Sequence, residues 1–228
     1  QMCIRDRLIT GDEEGDAVNG TKKVVEYLKK KKERINFCLV GEPTNPNKLG
    51  EMIKIGRRGS ITGKIEIIGE QCHVAYQHRG NNPSTTLVQI LKEIKDIKFD
   101  KGNKHFQPTN LEVTKINIKN DADNIIPGSA EATFNIRFNN RHSSNSIKRR
   151  LNKIFKKITK KNKSKFKIDY RVSGEAFLTK PNKTTFMIQN IIKKITKLKP
   201  KLSTTGGTSD LRFIRKISPG LEFGLVGK

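Results

Sequence analysis

Residues 59–68, Gly59-Ser60-Ile61-Thr62-Gly63-Lys64-Ile65-Glu66-Ile67-Ile68, decide how the middle of this 228-residue chain folds. Ile61, Gly63, Ile65 and Ile67 share one phase and polar residues take the other, and a period of two gives a β-strand with one apolar face. Downstream the period changes. Leu87, Ile90, Leu91 and Ile94 stand at i, i+3, i+4 and i+7, which is the spacing of one face of a helix. Residues 111–118 read as a strand with a slip in phase, and Ala130, Ala132, Phe134, Ile136 and Phe138 alternate strictly after a Gly/Pro turn. Ser143 or Ser144 can cap a helix bearing Ile147, Leu151, Ile154, Phe155 and Ile158, and Phe166, Ile168, Tyr170 and Val172 form a last strand. The order β-α-β-β-α-β is the ferredoxin-like split βαβ pattern, so residues 59–175 are expected to form a compact unit inserted into the surrounding chain.

Outside that unit, two apolar runs end in acids. Leu8-Ile9-Thr10-Gly11-Asp12-Glu13-Glu14-Gly15 closes on three adjacent carboxylates, and Phe37-Cys38-Leu39-Val40-Gly41-Glu42-Pro43-Thr44 delivers one acid into a Pro-containing turn. Adjacent carboxylates repel one another, so crowding them at a strand tip makes sense where a cation sits. Open α/β sheets bind ligands outside the carboxyl ends of their strands, which is where both acids fall. From spacing alone a second reading stays open, in which Asp12 or Glu13 favours the N-terminus of the following helix. That helix is expected over residues 17–32 with Val24, Val25 and Leu28 on one face, and a buried strand over 35–40. Residues 1–7 break the apolar strand pattern with charge and read as a fragment boundary. Past Gly174, Ile188, Ile191, Ile192, Ile195 and Leu198 form the stripe of a helix that follows Pro181 and ends before Pro200. The glycine loop Thr204-Thr205-Gly206-Gly207-Thr208-Ser209-Asp210 then leads to a buried strand over 221–226.

Composition bounds the function classes. With 47 Lys+Arg against 22 Asp+Glu the net charge is +25, which is the footprint of a nucleic-acid or anionic-surface binder. The lysines, however, gather at 29–32, 156–163 and 193–201 on helix ends and polar faces, with 6% aromatic residues and no Trp to stack on bases. Nucleic acid is therefore not an expected partner. No apolar run approaches the ~18 residues of a membrane span, and no membrane partner is expected. Cys3, Cys38 and Cys72 include no CxxC pair and leave an odd one, which fits a reducing cytoplasm better than a disulfide framework.

The motifs TGDEEG, VGEPT, GRRGSITGKI, HVAYQH, NIIPG, GGTSDLRF and EFGLVGK together resemble the zinc-dependent deacylase and dipeptidase clan, specifically its succinyl-diaminopimelate desuccinylase family, over nearly the whole chain. The resemblance implies a zinc-exopeptidase-like α/β catalytic domain over residues 1–58 and 176–228, present in part, and a lid and dimerisation domain over 59–175. It implies hydrolysis of N-succinyl-diaminopimelate by a cytoplasmic homodimer that pairs through its lids and holds two zinc ions, or cobalt. An acetylornithine deacetylase or another aminoacylase or dipeptidase of the clan is the nearest alternative, and a non-catalytic basic protein that dimerises or binds anionic polymers is the alternative from another class. Amide hydrolysis needs a nucleophile, which a metal can supply by lowering the pKa of water toward ~7 with a carboxylate as general base. By resemblance Glu13 is that base, Glu14 and Glu42 are metal ligands, and His73 reaches into the partner's active site to stabilise an oxyanion. Cys72 stands where the family commonly has glycine, and Gln77 where it has proline. Arg57, Asn124, Arg137, Gly207 and Thr208 match substrate-binding positions, and a guanidinium suits a carboxylate because it can grip it with two bonds. From the residues alone the glycine loop reads equally as a tight turn, and Arg57 with Arg58 as a solvated pair. The family's first metal histidine and bridging aspartate lie upstream of DEEG, and its last metal histidine lies beyond EFGLVGK. This stretch is therefore expected to carry an incomplete ligand set and to be inactive by itself.

Overall fold

The computed structural model describes residues 5–13, 15 and 17–227. In chain order the elements are α1 (Thr21–Lys30), β1 (Cys38–Val40), β2 (Met52–Lys54), β3 (Gly56–Arg57), β4 (Gly59–Ile68), β5 (Cys72–His73), a 3₁₀ turn (Val74–Arg79), α2 (Pro83–Lys95), β6 (Asn110–Asn117), β7 (Ile125–Ile126) and β8 (Ser129–Phe138). They continue with α3 (Ser144–Lys161), β9 (Lys165–Gly174), β10 (Phe177–Leu178), α4 (Lys183–Thr196), β11 (Lys201–Ser203), α5 (Leu211–Ile214) and β12 (Gly220–Glu222). The chain divides into two compact units, Arg58–Ala176 and the flanking segments before and after it. No helix among the described residues is long and apolar enough to cross a membrane.

In the Arg58–Ala176 unit the sheet order is β6-β8-β4-β9, which places the second, third, first and fourth strands side by side as in a ferredoxin-like sheet. All three pairings are antiparallel. Ile61, Ile65 and Ile67 of β4 and Phe134, Ile136 and Phe138 of β8 face Leu87, Ile90 and Ile94 of α2 and Ile147, Leu151 and Phe155 of α3 in one core. Burying a side chain of this size fully stabilises by about 1.5–3 kcal/mol, so this cluster dominates the unit's stability. Gly63 stands opposite Phe134. A Cβ there would lie 2.3 Å from the Phe134 ring, so glycine is what allows the ring to cross the central strand. The phase slip expected in residues 111–118 is a register shift between Val113 and Lys115 against β8. Ser143 supplies the cap of α3, accepting from Ser146 N–H in a reciprocal capping box.

In the other unit β1, β12, β2 and β11 form one sheet in that order. β1 runs parallel to β12 and β2 parallel to β11, while the central pair is antiparallel. Val40, Glu222, Lys54 and Ser203 are in register across it, and each is the last residue of its strand. Four strands thus end on one line, and the turns that leave them start from it. Ile53, Ile55, Ile192 and Leu221 pack in one small cluster, and Val25, Phe177, Leu211 and Ile214 in another.

Several expectations for this unit are corrected. Residues 8–10 are not a strand: no described strand pairs with them, Leu8 and Ile9 are 50% and 83% exposed, and an unpaired backbone keeps its hydrogen bonds with water. The strand expected over 35–40 is confined to Cys38–Val40, and the one expected over 221–226 to Gly220–Glu222, with Leu225 and Val226 exposed beyond it. The helix expected over 17–32 spans Thr21–Lys30, and the stripe of α4 is half exposed, with Ile192 buried but Ile191 and Ile195 open to solvent. β2 and β11, three residues each, were too short to show a period.

Candidate active site

The turn after β1 carries Glu42 to the line of strand ends. Thr44 fixes that turn, its hydroxyl donating to the Met52 carbonyl at 3.0 Å and accepting from Gly224 N–H at 3.3 Å. Gly224 must be glycine here, because a Cβ would lie 2.4 Å from the Glu42 carbonyl oxygen. Burial pushes the Glu42 carboxyl up to about 7, and the negative charges of Glu222, Glu13 and Asp210 add to that shift while Arg57 opposes it. Glu13 and Glu42, distant in sequence, therefore share one electrostatic neighbourhood with Asp210 and Glu222.

Glu13 sits with its Oε1 3.9 Å from Nη1 of Arg212, which also donates to the Ser209 carbonyl at 3.3 Å. Asp12 does not cap α1. Its Oδ2 accepts from the N–H groups of Val18 and Asn19 at 2.7 and 2.9 Å, shaping the turn ahead of the helix, while Gly20 occupies the cap without a side-chain bond. Thr21 at the start of α1 donates to Asp210 at 2.5 Å and meets the Thr10 hydroxyl at 2.6 Å, tying both segments to the glycine loop. Glu14, the expected second metal ligand, lies outside the described residues.

Arg57, expected to grip a substrate carboxylate, is 6% exposed and is turned inward. Its Nε donates to Glu222 Oε2 at 2.8 Å, its Nη2 reaches the same oxygen, and Nη1 donates to the Thr205 carbonyl at 3.2 Å. Gly207 is exposed and Thr208 half-buried at the tip of the loop.

Within Arg58–Ala176, the pairing of β5 with β7 puts His73 opposite Ile125 and beside Asn124. The His73 Nε2 and the Asn124 carboxamide are 3.3 Å apart, and Val74 N–H donates to the Asn124 carbonyl at 2.9 Å. His73 Nδ1 accepts from Ala75 N–H at 3.1 Å, and this contact together with the one to Asn124 fixes the orientation of the ring. His73 is exposed. Arg137 lies elsewhere, in a row with Asn110 and Ser60 on β8, β6 and β4. Its charge, after burial, depresses the Arg58 pKa, and Arg58 donates to Asn110 at 2.9 Å.

Among the described residues no group of three or more His, Cys, Asp or Glu is arranged to hold a metal ion. Glu42 fits as one carboxylate ligand, but the described donors do not complete a set. The sequence reading missed Glu222, Lys54, Asp210 and Arg212. The signal for Glu222 was there, since a lone acid inside the apolar run Gly220-Leu221-Glu222-Phe223 has to be buried with a partner.

Residues 55–163 match the peptidase dimerisation domain family. The chain is 80% identical over 221 residues to a succinyl-diaminopimelate desuccinylase of Pelagibacter ubique (strain HTCC1062), covering 97% of this chain and 58% of that protein. It is 48% identical over 218 residues to the enzyme of that name from Parvibaculum lavamentivorans, covering 96% of this chain and 55% of that protein. It spans about half the length of the curated relatives it matches. Among solved structures it resembles the aminopeptidase PepT of Bacillus cereus ATCC 10987, with a TM-score of 0.74 and 15% identity over 95% of this chain and 54% of that one. It also resembles the Bacillus subtilis YxeP protein, a dinuclear metal binding peptidase from the M20 family, with a TM-score of 0.67 and 13% identity over 96% of this chain and 55% of that one. At such identities these likenesses concern the fold, whereas the identity of 80% sustained over 97% of its residues makes this chain similar, along almost its whole length, to part of a succinyl-diaminopimelate desuccinylase.

Proposed function

We propose that the protein to which this chain corresponds removes succinate from N-succinyl-diaminopimelate by metal-dependent amide hydrolysis, as a cytoplasmic homodimer. The observation that carries the reading is that Glu42, in the turn after β1, lies within electrostatic reach of Glu13, Asp210 and Glu222, in a chain whose relatives bear that enzyme's name. A pair of divalent cations, zinc in this reading, would neutralise the crowded carboxylates there and supply Lewis acidity. Glu42, with Glu14, would be among their ligands. Glu13, with Arg212 Nη1 3.9 Å from its carboxylate, takes the proton of the attacking water. His73, its ring oriented by Ala75 and Asn124, donates to the oxygen of the partner subunit's substrate where negative charge develops. Arg137, Asn124, Gly207 and Thr208 contact substrate.

The test uses this chain and a longer one extended with the segments its Pelagibacter ubique relative has in addition. With zinc, the longer chain is expected to release succinate and the shorter one not to. His73→Ala in the longer chain should lower kcat by roughly 10²–10³ with zinc content unchanged. Mixed dimers of His73→Ala and Glu13→Ala should regain one working site. Absence of recovery despite demonstrated subunit exchange removes the in-trans role, and absence of turnover in the metal-loaded longer chain removes the proposed activity.

A further inference from the structure

Lys54, Arg57, Thr204, Ser209, Asp210 and Glu222 are all buried around one short loop, residues 204–210. Glu222 is their centre and is 0% exposed. One of its oxygens accepts from Nε and Nη2 of Arg57, and the other accepts from the Ser209 hydroxyl. Ser209 stands near the end of the loop. Near its beginning, Thr205 is held twice, its carbonyl by Arg57 Nη1 at 3.2 Å and its hydroxyl by Lys54 Nζ at 2.7 Å. Between these anchors the backbone passes directly over the guanidinium. Gly206 adopts φ +99°, and a Cβ there would stand 2.4 Å from Arg57 Nη1. The loop is therefore wrapped around an arginine whose direction is set by Glu222.

Removing two charges from water is expensive, and a buried ion pair is often no more stabilising than a pair of apolar side chains. What this arrangement supplies instead is geometry. Both carboxylate oxygens are used, one on the strand side and one on the loop side, and a planar guanidinium carries the constraint on to Thr205. We propose that Glu222 is a positioning residue, whose carboxylate, shared by Arg57 and Ser209, fixes the loop that presents Gly207 and Thr208. Arg57 transmits that constraint, and in this structure its fork serves the loop. The assignment takes from the proposed deacylase reading only that Gly207 and Thr208 face substrate.

The test is amide hydrogen exchange on this chain, wild type against Glu222→Gln and against the double substitution Arg57→Met with Glu222→Met. In Glu222→Gln the amides of residues 204–212 should exchange at least tenfold faster while those of β4 and β8 keep their wild-type rates. The double variant removes both buried charges, so its melting temperature should return toward wild type. Its loop amides should nevertheless stay fast, because Ser209 has lost its acceptor and Thr205 its donor. Unchanged loop exchange in a folded Glu222→Gln overturns the proposal. So does loop protection that returns with stability in the double variant, or the unfolding of both variants, which would make Glu222 a requirement of the fold itself. Neither metal nor substrate enters the measurement, so the result stands even where the deacylase assay fails.

Discussion

Among the described residues the buried charged ones, Lys54, Arg57, Asp210 and Glu222, all belong to the flanking unit, whereas the buried polar residues of Arg58–Ala176, such as Thr86 and Asn139, are uncharged. Of the twelve largest fully buried side chains, all but Ile53 and Ile55 belong to Arg58–Ala176, which has one core beneath a sheet whose three longest strands have ten, ten and ten residues. The flanking unit has strands of two or three residues, two small apolar clusters, and a buried lysine, arginine and glutamate on or beside the line of strand ends. The first arrangement is what apolar burial alone produces. The second gives up apolar contact to hold charges at defined places, which is what a site needs and a scaffold does not.

Phe134→Ala should have the largest effect. Removing a fully buried ring opposite Gly63 is expected to cost about 3–5 kcal/mol, read as a lower urea midpoint with loss of amide protection in β4, β8 and α3. Protection at Ile53 and Leu221 should persist; its equal loss would show the two units to be one cooperative body and end the comparison. Gly63→Val tests the same core by overfilling it. A side chain there meets the Phe134 ring, and a loss of roughly 1–3 kcal/mol is expected. An unchanged midpoint would mean that the ring has somewhere else to go.

The smallest effect concerns the buried charges. Burial first, and Arg57 second, push Lys54 down to about 8 from 10.5, with Glu222 opposing. The folded chain thus releases a proton near pH 8 that the unfolded chain keeps until about pH 10.5. Between those values the unfolded state binds more protons, so this group's contribution to stability rises with pH. Lys54→Met lacks the titration, and the difference in urea midpoint should shift in favour of wild type from pH 7.5 to 10. A pH-independent difference would mean that Lys54 holds its proton on the strand line.

The same contrast explains what could be read in advance. Periods of two and 3.6 run long enough in residues 59–175 to give the order of strands and helices, the helix faces, a slip within 111–118 and a serine cap at 143 or 144 from the sequence alone. Three residues of Met52–Lys54 or Lys201–Ser203 carry no period, so the sheet that gathers Glu42, Lys54 and Glu222 was invisible. His73 and Asn124 were named individually, by resemblance. Their contact depends on a pairing only two residues long, β5 with β7, which no local pattern announces. Arg57 is a substrate-binding candidate by resemblance, and its partner Glu222, 165 positions away in sequence, leaves no local sign of their pairing.

The chain crosses between its two units at two points, and each unit holds its own side of both crossings together. In the flanking unit Arg57 and Phe177 are directly paired on β3 and β10, and within Arg58–Ala176 Ser60 is paired with Gly174 on β4 and β9. For the flanking segments the whole intervening stretch behaves as a short closed loop. Once Arg58–Ala176 has folded, its ends already lie at hairpin distance, and little of the chain entropy of closing so long a loop remains to oppose the joining of residues before 58 to those after 176. In terms of descent, a stretch with adjoining ends can enter a gene at a single turn codon and leave the neighbouring strands in register. The host then needs no compensating change elsewhere.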